Sequence, residues 1–149
     1  MRAVVQRVKS AHVEVSGESV GSIGPGLLVF LGIEQGDGDA DLEYICSKIV
    51  GLRIFHDSQD KMNLPVTEAG GQALVVSQFT LCGDARHGRR PSFSSAASPE
   101  EGERWYLSAV DSLKRAGLKV ATGRFRASME VHLVNDGPVT ILLDSRKNF

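Results

Sequence analysis

Valines alternate with polar residues at the start of the chain. Ala3-Val4-Val5-Gln6-Arg7-Val8 leads into His12-Val13-Glu14-Val15-Ser16, with the period of two that a half-buried strand requires. Gly17 turns the chain, and Ser22-Ile23-Gly24-Pro25-Gly26 delivers it to Leu27-Leu28-Val29-Phe30-Leu31-Gly32-Ile33. This second run is apolar at every step, which predicts a central strand covered on both faces. A Gly/Asp-rich loop over Gln35–Asp39 ends in a helix N-cap. From Asp41 the apolar positions change to helical spacing, Leu42, Ile45, Cys46 and Ile49, and Gly51 closes the helix.

Arg53-Ile54-Phe55 predicts a short strand, Asp57–Asp60 a turn, and Lys61–Gly71 an irregular stretch punctuated by Pro65 and Gly70-Gly71. Ala73–Leu81 begins as a buried strand and turns polar halfway. Ser98-Pro99-Glu100-Glu101 is a helix start, with Ser98 as N-cap, Pro99 at the first helical position and Glu101 closing a capping box. The helix carries Tyr106, Ala109, Val110 and Leu113 on one face and stops near Gly117. Strands over Leu118–Ala121, Met129–Val134 and Val139–Leu143 complete an α/β chain rich in strands, with two helices and no internal repeat or linker.

At 149 residues this pattern describes one domain, large enough to hold a core without staples. The longest apolar run, Leu27–Leu31, falls far short of the ~20 residues that span a bilayer. Arg7 arrives too early for a signal peptide, so a cytoplasmic protein with no membrane association is the expectation. Two cysteines, Cys46 and Cys82, make neither a disulfide framework nor a zinc site. Seventeen Lys and Arg against eighteen Asp and Glu leave a net charge of −1, so contact with nucleic acid has to come from a local patch. Arg86, His87, Arg89 and Arg90 crowd one Gly-containing loop and are the candidate, unless that loop is simply solvated.

Two segments break the local rules. Ser77-Gln78-Phe79-Thr80-Leu81 places hydrogen-bonding side chains where a buried strand should stay apolar, as at a strand that ends at a pocket or emerges into solvent. Asn135-Asp136-Gly137-Pro138-Val139-Thr140 reads as a hairpin loop between two strands, and its Gly-Pro bond is a candidate for the cis form. Other site templates fail: there is no G-x-S-x-G elbow and no phosphate-binding P-loop, and His12, His56, His87 and His132 are scattered singly.

Together the two segments resemble the signature motifs of the bacterial and eukaryotic D-aminoacyl-tRNA deacylases. The resemblance extends through Gln6-Arg7-Val8, Gly26–Val29, Arg53–Phe55, Lys61–Leu64, Arg90-Pro91-Ser92-Phe93 and Thr122-Gly123-Arg124-Phe125, leaving 145–149 as a short tail. It implies a barrel-like layered sheet flanked by about two helices, and hydrolysis of the ester joining a D-amino acid to tRNA. Clearance of mischarged glycyl-tRNA and rejection of the L-form are also implied. So is a homodimer in which Gly137 and Pro138 of one subunit face Ser77, Gln78, Phe79 and Thr80 of the other. By the same resemblance Arg7 supports that loop, Phe125 and Met129 line the pocket near the terminal adenosine, and neither cofactor nor metal is required. Arg86, Arg89 and Arg90 are the candidate tRNA contacts.

An activated ester needs oxyanion stabilisation more than acid–base help, and backbone N–H groups at Phe79 and Thr80 suit that role. Thr80 has no base beside it in the sequence, which favours positioning over a covalent role. Two rivals remain: a hydrolase of small D-amino-acid esters that uses no RNA, and a non-catalytic RNA-binding module. Against the second, the chain has nine Phe, Trp and Tyr in all, and only Phe79 and Phe93 lie near the basic loop.

Overall fold

In the computed structural model, which describes residues 1–149, the two opening valine runs are one strand, β1 (Arg2–Val15). Lys9 and Ser10 are exposed between them, yet the backbone stays extended because the strand changes partners there. The first half of β1 pairs antiparallel with β3 (Gly26–Gly32), and the second half with β2 (Glu18–Ile23). The opposite edge of β1 pairs antiparallel with β8 (Glu130–Asp144).

From β3 the sheet continues through parallel pairing, first to β6 (Gln72–Ser77) and then to β7 (Val120–Thr122). Each parallel step needs a crossover. The first is carried by α1 (Asp39–Gly51) and the second by α2 (Pro99–Arg115). Alternation then sorts the core into two layers. Leu27, Val29, Leu31, Ala73 and Val75 face the helices, where they meet Ile45, Ile49, Tyr106, Val110 and Leu113. Leu28, Leu74 and Val76 point the other way, into a second core with Val8, Ala11, Val13 and Ile23. The sheet curls around that second core until β2 meets β7. Gly21 permits the closure, because a Cβ there would run into the Thr122 carbonyl. The result is the strand-rich α/β architecture with two helices that the pattern predicts, closed into the barrel-like form that the resemblance implies.

Several boundaries differ from the predicted ones. The irregular stretch contains β5 (Met62–Leu64), which pairs with β4 (Phe55–His56) across the Asp57–Asp60 turn. The N-cap of α1 is Gly38 rather than Asp39, since the Asp41 carboxylate accepts the Gly38 N–H at 2.9 Å. At α2, Ser98 Oγ accepts from the Glu101 N–H at 3.3 Å, but the Glu101 carboxylate turns to Arg104 at 2.9 Å. The strand predicted through Leu81 stops at Ser77. Its neighbour β3 ends at Gly32, so after Gln78 N–H bonds the Leu31 carbonyl at 2.8 Å no ladder remains, and Phe79–Cys82 wind into one 3₁₀ turn.

The largest correction concerns Asn135–Thr140, which is not a hairpin. The chain does not reverse: both halves of β8 pair with the same strand, and Val8 faces Asn135 while Gln6 faces Thr140. Asp136, Gly137, Pro138 and Val139 therefore oppose Arg7 alone, as a wide bulge within a continuous strand. Hairpin composition and bulge composition are the same here, since both need residues that leave the ladder. The chain after Asp144 is pinned: Arg146 pairs with Asp37 at 3.1 Å and donates to the Gln35 carbonyl at 2.6 Å. No helix is long and apolar enough to cross a membrane.

Candidate active site

A cleft of about 510 Å³ opens at the carboxyl end of β6. Ligands favour this position in parallel sheets, because strand ends there leave backbone groups without ladder partners. Val76, Ser77, Gln78 and Phe79 form one wall, residues Ala97–Gly102 at the start of α2 another, and Phe125–Val131 the third. Tyr106 fixes the wall from behind. Its hydroxyl donates to the Val75 carbonyl at 2.8 Å, and burial pushes its phenol up to about 12. Its ring also packs on Phe125, with centroids 5.8 Å apart.

The lining is mostly apolar, with a few hydroxyl and amide groups. Arg126 is its one charged residue; no histidine, carboxylate or thiol faces the space. Cys82, the buried last residue of the 3₁₀ turn, donates to the Ile33 carbonyl at 3.4 Å, and burial pushes its thiol up to about 11, away from the reactive thiolate. Thr80 lies outside the lining, and its hydroxyl accepts from the Gln78 side-chain amide. A 3₁₀ turn supplies no internal acceptor for its first N–H groups, so those of Phe79 and Thr80 are left without a partner inside the turn. The Phe79 ring is exposed and meets Phe93 edge-on, with centroids 5.2 Å apart.

The bulge of β8 is built around Arg7. Arg7 is 4 % exposed, and its guanidinium donates to the Ile54 carbonyl at 2.6 Å and to the Asp136 carbonyl at 3.0 Å and lies 3.6 Å from the Asp136 carboxylate. Asn135 closes the bulge from the other side, accepting the Val139 N–H at 2.8 Å. Gly137 and Pro138 are exposed at the tip, joined by a cis peptide bond. Neither lines the cleft of its own chain.

The basic loop is less free than its composition suggests. Arg86 grips Asp84 through Nε at 2.9 Å and Nη2 at 2.6 Å, and these bonds hold the Asp84 carboxyl far below the usual range. Arg89 and Arg90 are exposed on the same loop.

The D-Tyr-tRNA(Tyr) deacylase family model matches residues 4–144. The D-aminoacyl-tRNA deacylase of Syntrophobacter fumaroxidans is 60% identical over 149 residues, covering all of both chains. That of Thermotoga petrophila is 58% identical over the same span, again covering both completely. The chain belongs to the D-aminoacyl-tRNA deacylase family. It is thus a carboxylic ester hydrolase of the deacylase type. Among solved structures, the c-Myc DNA Unwinding Element Binding Protein is 41% identical with a TM-score of 0.92, covering 97% of this chain and 98% of that one. A probable eukaryotic D-amino acid tRNA deacylase shares the fold at a TM-score of 0.79 and 18% identity, over 95% and 97% of the two chains.

Within the deacylase the fold therefore brings Ser77, Gln78, Phe79, Phe125 and Met129 to one cleft. It sets Arg7, Gly137 and Pro138 in a second place, and Arg86, Arg89 and Arg90 in a third. Sequence reading missed Ser98, Gly102 and Arg126 as cleft residues. Ser98 stood out only as a helix cap. Arg126 carries a positive φ of 64°, a feature of the folded turn that its residue type does not announce.

Proposed function

We propose that the deacylase hydrolyses the ester of D-aminoacyl-tRNA in the cytoplasm, as a homodimer in which each subunit completes the other's site. The whole chain acts as one catalytic domain. The observation that carries this reading is the make-up of the cleft, which has hydrogen-bonding groups and one cation but no acid or base. Such a site supports a reaction that needs positioning and oxyanion stabilisation rather than proton transfer by the protein. The donors are the N–H groups of Phe79 and Thr80. The terminal 2′-hydroxyl of the tRNA assists the attacking water, Phe125 and Met129 hold the terminal adenosine, and Gln78 and Ser77 orient the ester.

Selectivity comes from Gly137 and Pro138. They are exposed, absent from their own cleft and tied down by Arg7, which suits a loop inserted into a partner's cleft across a two-fold axis. There they wall off the side on which an L side chain would lie. Glycine has no side chain to reject, so glycyl-tRNA passes the same filter and is cleared too.

Subunit mixing tests the reciprocal arrangement. A Phe79→Ala chain and a Gly137→Ala chain, each impaired alone, form mixed dimers with one doubly defective and one intact site. Activity therefore recovers on mixing. If both elements served the same chain's cleft, each site would keep one defect, and no recovery would follow.

The Thr80 hydroxyl has a positioning role. Thr80→Ala should lower kcat by no more than about tenfold, the worth of one hydrogen bond. A loss of many orders of magnitude, or an acyl group trapped on Thr80, would make it the nucleophile instead.

Arg89 and Arg90 meet phosphates, while Arg86 is held by Asp84 and contributes less. Replacing all three with alanine weakens binding equally across different tRNAs. It also flattens the log–log salt dependence by about 0.7–0.9 for each phosphate no longer neutralised, with Arg89 and Arg90 supplying most of the change. An unchanged slope returns the loop to ordinary solvation.

A further inference from the structure

His12 and His132 are far apart in sequence, but the β1–β8 register sets them directly opposite one another, with Glu14 opposite Glu130. Side chains two apart share one face of a strand, so all four residues project from the same side of the pair. The two imidazole rings lie parallel, 4.3 Å between centroids and 3° between planes. Both direct Nε2 at one carboxylate: His12 lies 3.2 Å from Glu14 Oε1, and His132 lies 3.7 Å from Glu14 Oε2. His132 Nε2 is also 3.7 Å from the Glu130 carboxylate. One ligand atom from each of His12, Glu14 and His132 falls within 4.8 Å of the other two.

We propose that these residues bind a divalent first-row transition ion of the zinc type on the outer face of the β1–β8 pair. The stacking brings both Nε2 atoms to one carboxylate, an arrangement in which a single ion can take a lone pair from each ring. Metal–ligand bonds of about 2.0–2.2 Å in a tetrahedron set donors about 3.3–3.6 Å apart, so small rotations of these partly exposed side chains close the site. Glu130 lies outside this cluster of three, 3.7 Å from His132 Nε2, so its exposed side chain would have to swing inward to add a fourth ligand; otherwise water fills that position. Two imidazoles with carboxylates suit zinc, copper or nickel; magnesium and calcium prefer all-oxygen shells.

The placement gives the ion a structural part. Val131, between Glu130 and His132, points to the opposite face and lines the cleft. The same strand continues into the bulge that carries Gly137 and Pro138. An ion bridging β1 and β8 therefore clamps the strand that supports both, without touching substrate. The site does not rest on the proposed catalytic reading, and its test needs no tRNA.

Isothermal titration of metal-stripped full-length protein with zinc chloride should show one ion per chain, and saturating zinc should raise the melting temperature, because the ion binds only the folded strand pair. His12→Asn and His132→Asn should each weaken binding by at least about tenfold, the lower end of the effect of losing even an outer partner, and remove the thermal shift. His56→Asn and His87→Asn should change neither, and excess magnesium should not displace the zinc. Cobalt(II) added to the unmodified protein should give a visible absorption band that zinc abolishes, a readout that needs no variant to fold. Absence of saturable zinc binding, or undiminished binding in the His12→Asn, His132→Asn double variant, would overturn the site.

Discussion

Replacing Gly137 with alanine lowers kcat/KM for D-aminoacyl-tRNA on the order of a hundredfold, the effect of a wall displaced by about an ångström in a positioned site. The cause is local. Gly137 has a φ of +135°, where a residue with a side chain is strained, and a Cβ there would lie 2.8 Å from Val139 Cγ2 and 3.0 Å from Arg7 Nη2. Neither neighbour yields freely, because Arg7 is fixed by the Ile54 and Asp136 carbonyls and Val139 by Asn135. The tip must move, and in the proposed dimer the backbone surface offered to the partner's cleft moves with it. Discrimination between D- and L-substrates should narrow along with the rate, while the far-ultraviolet spectrum and the oligomeric state stay as in the unmodified protein. Initial rates on both enantiomers measure this. Unaltered kinetics would remove Gly137 and Pro138 from the active site.

Arg7→Ala has the largest expected effect on stability. It strips two carbonyls, those of Ile54 and Asp136, of their donor and leaves a void where a buried side chain stood. A carbonyl left unpaired costs about 1–3 kcal/mol, so the two together give a loss of about 2–6 kcal/mol, with the part-buried Asp136 carbonyl contributing the smaller share. That is a large share of the ~5–15 kcal/mol typical of a whole domain. Lysine does not substitute, because one ammonium cannot reproduce the fork that reaches two carbonyls in different directions. Urea unfolding measures the change: the midpoint should fall at an unchanged slope, and Arg7→Lys should recover only part of it. A midpoint equal to that of the unmodified protein would show that the bulge holds itself.

How far the sequence foretold this arrangement depended on the kind of signal. The doubly buried β3 was legible because no polar residue interrupts Leu27–Leu31. Both helices were legible because the apolar spacing at Ile45 and Ile49, and at Ala109, Val110 and Leu113, needs no knowledge of partners. The end of β6 was not legible. Thr80 and Leu81 have good strand propensity, and the turn at Phe79 follows from the length of the neighbouring β3. The bulge was misread as a hairpin for a similar reason: Asn, Asp, Gly and Pro announce a departure from the ladder, but only the shared partner β1 shows that the chain then continues in the same direction. Likewise, the family resemblance singled out Ser77–Thr80, Gly137-Pro138 and, on the third wall of the cleft, Phe125 and Met129, while Arg126 between them depends on a turn with no composition signature. The facing of His12 and His132 is a consequence of register alone.

An RNA-dependent ester hydrolysis that selects the D-form is the central claim. The most direct measurement incubates the deacylase with D-tyrosyl-tRNA, L-tyrosyl-tRNA and D-tyrosine ethyl ester, and follows release of tyrosine from each. D-tyrosyl-tRNA should be lost rapidly, with the L-form and the ethyl ester left intact over the same interval. Hydrolysis of the ethyl ester without the RNA substrate, equal hydrolysis of both enantiomers, or binding of tRNA with no release of amino acid would contradict it.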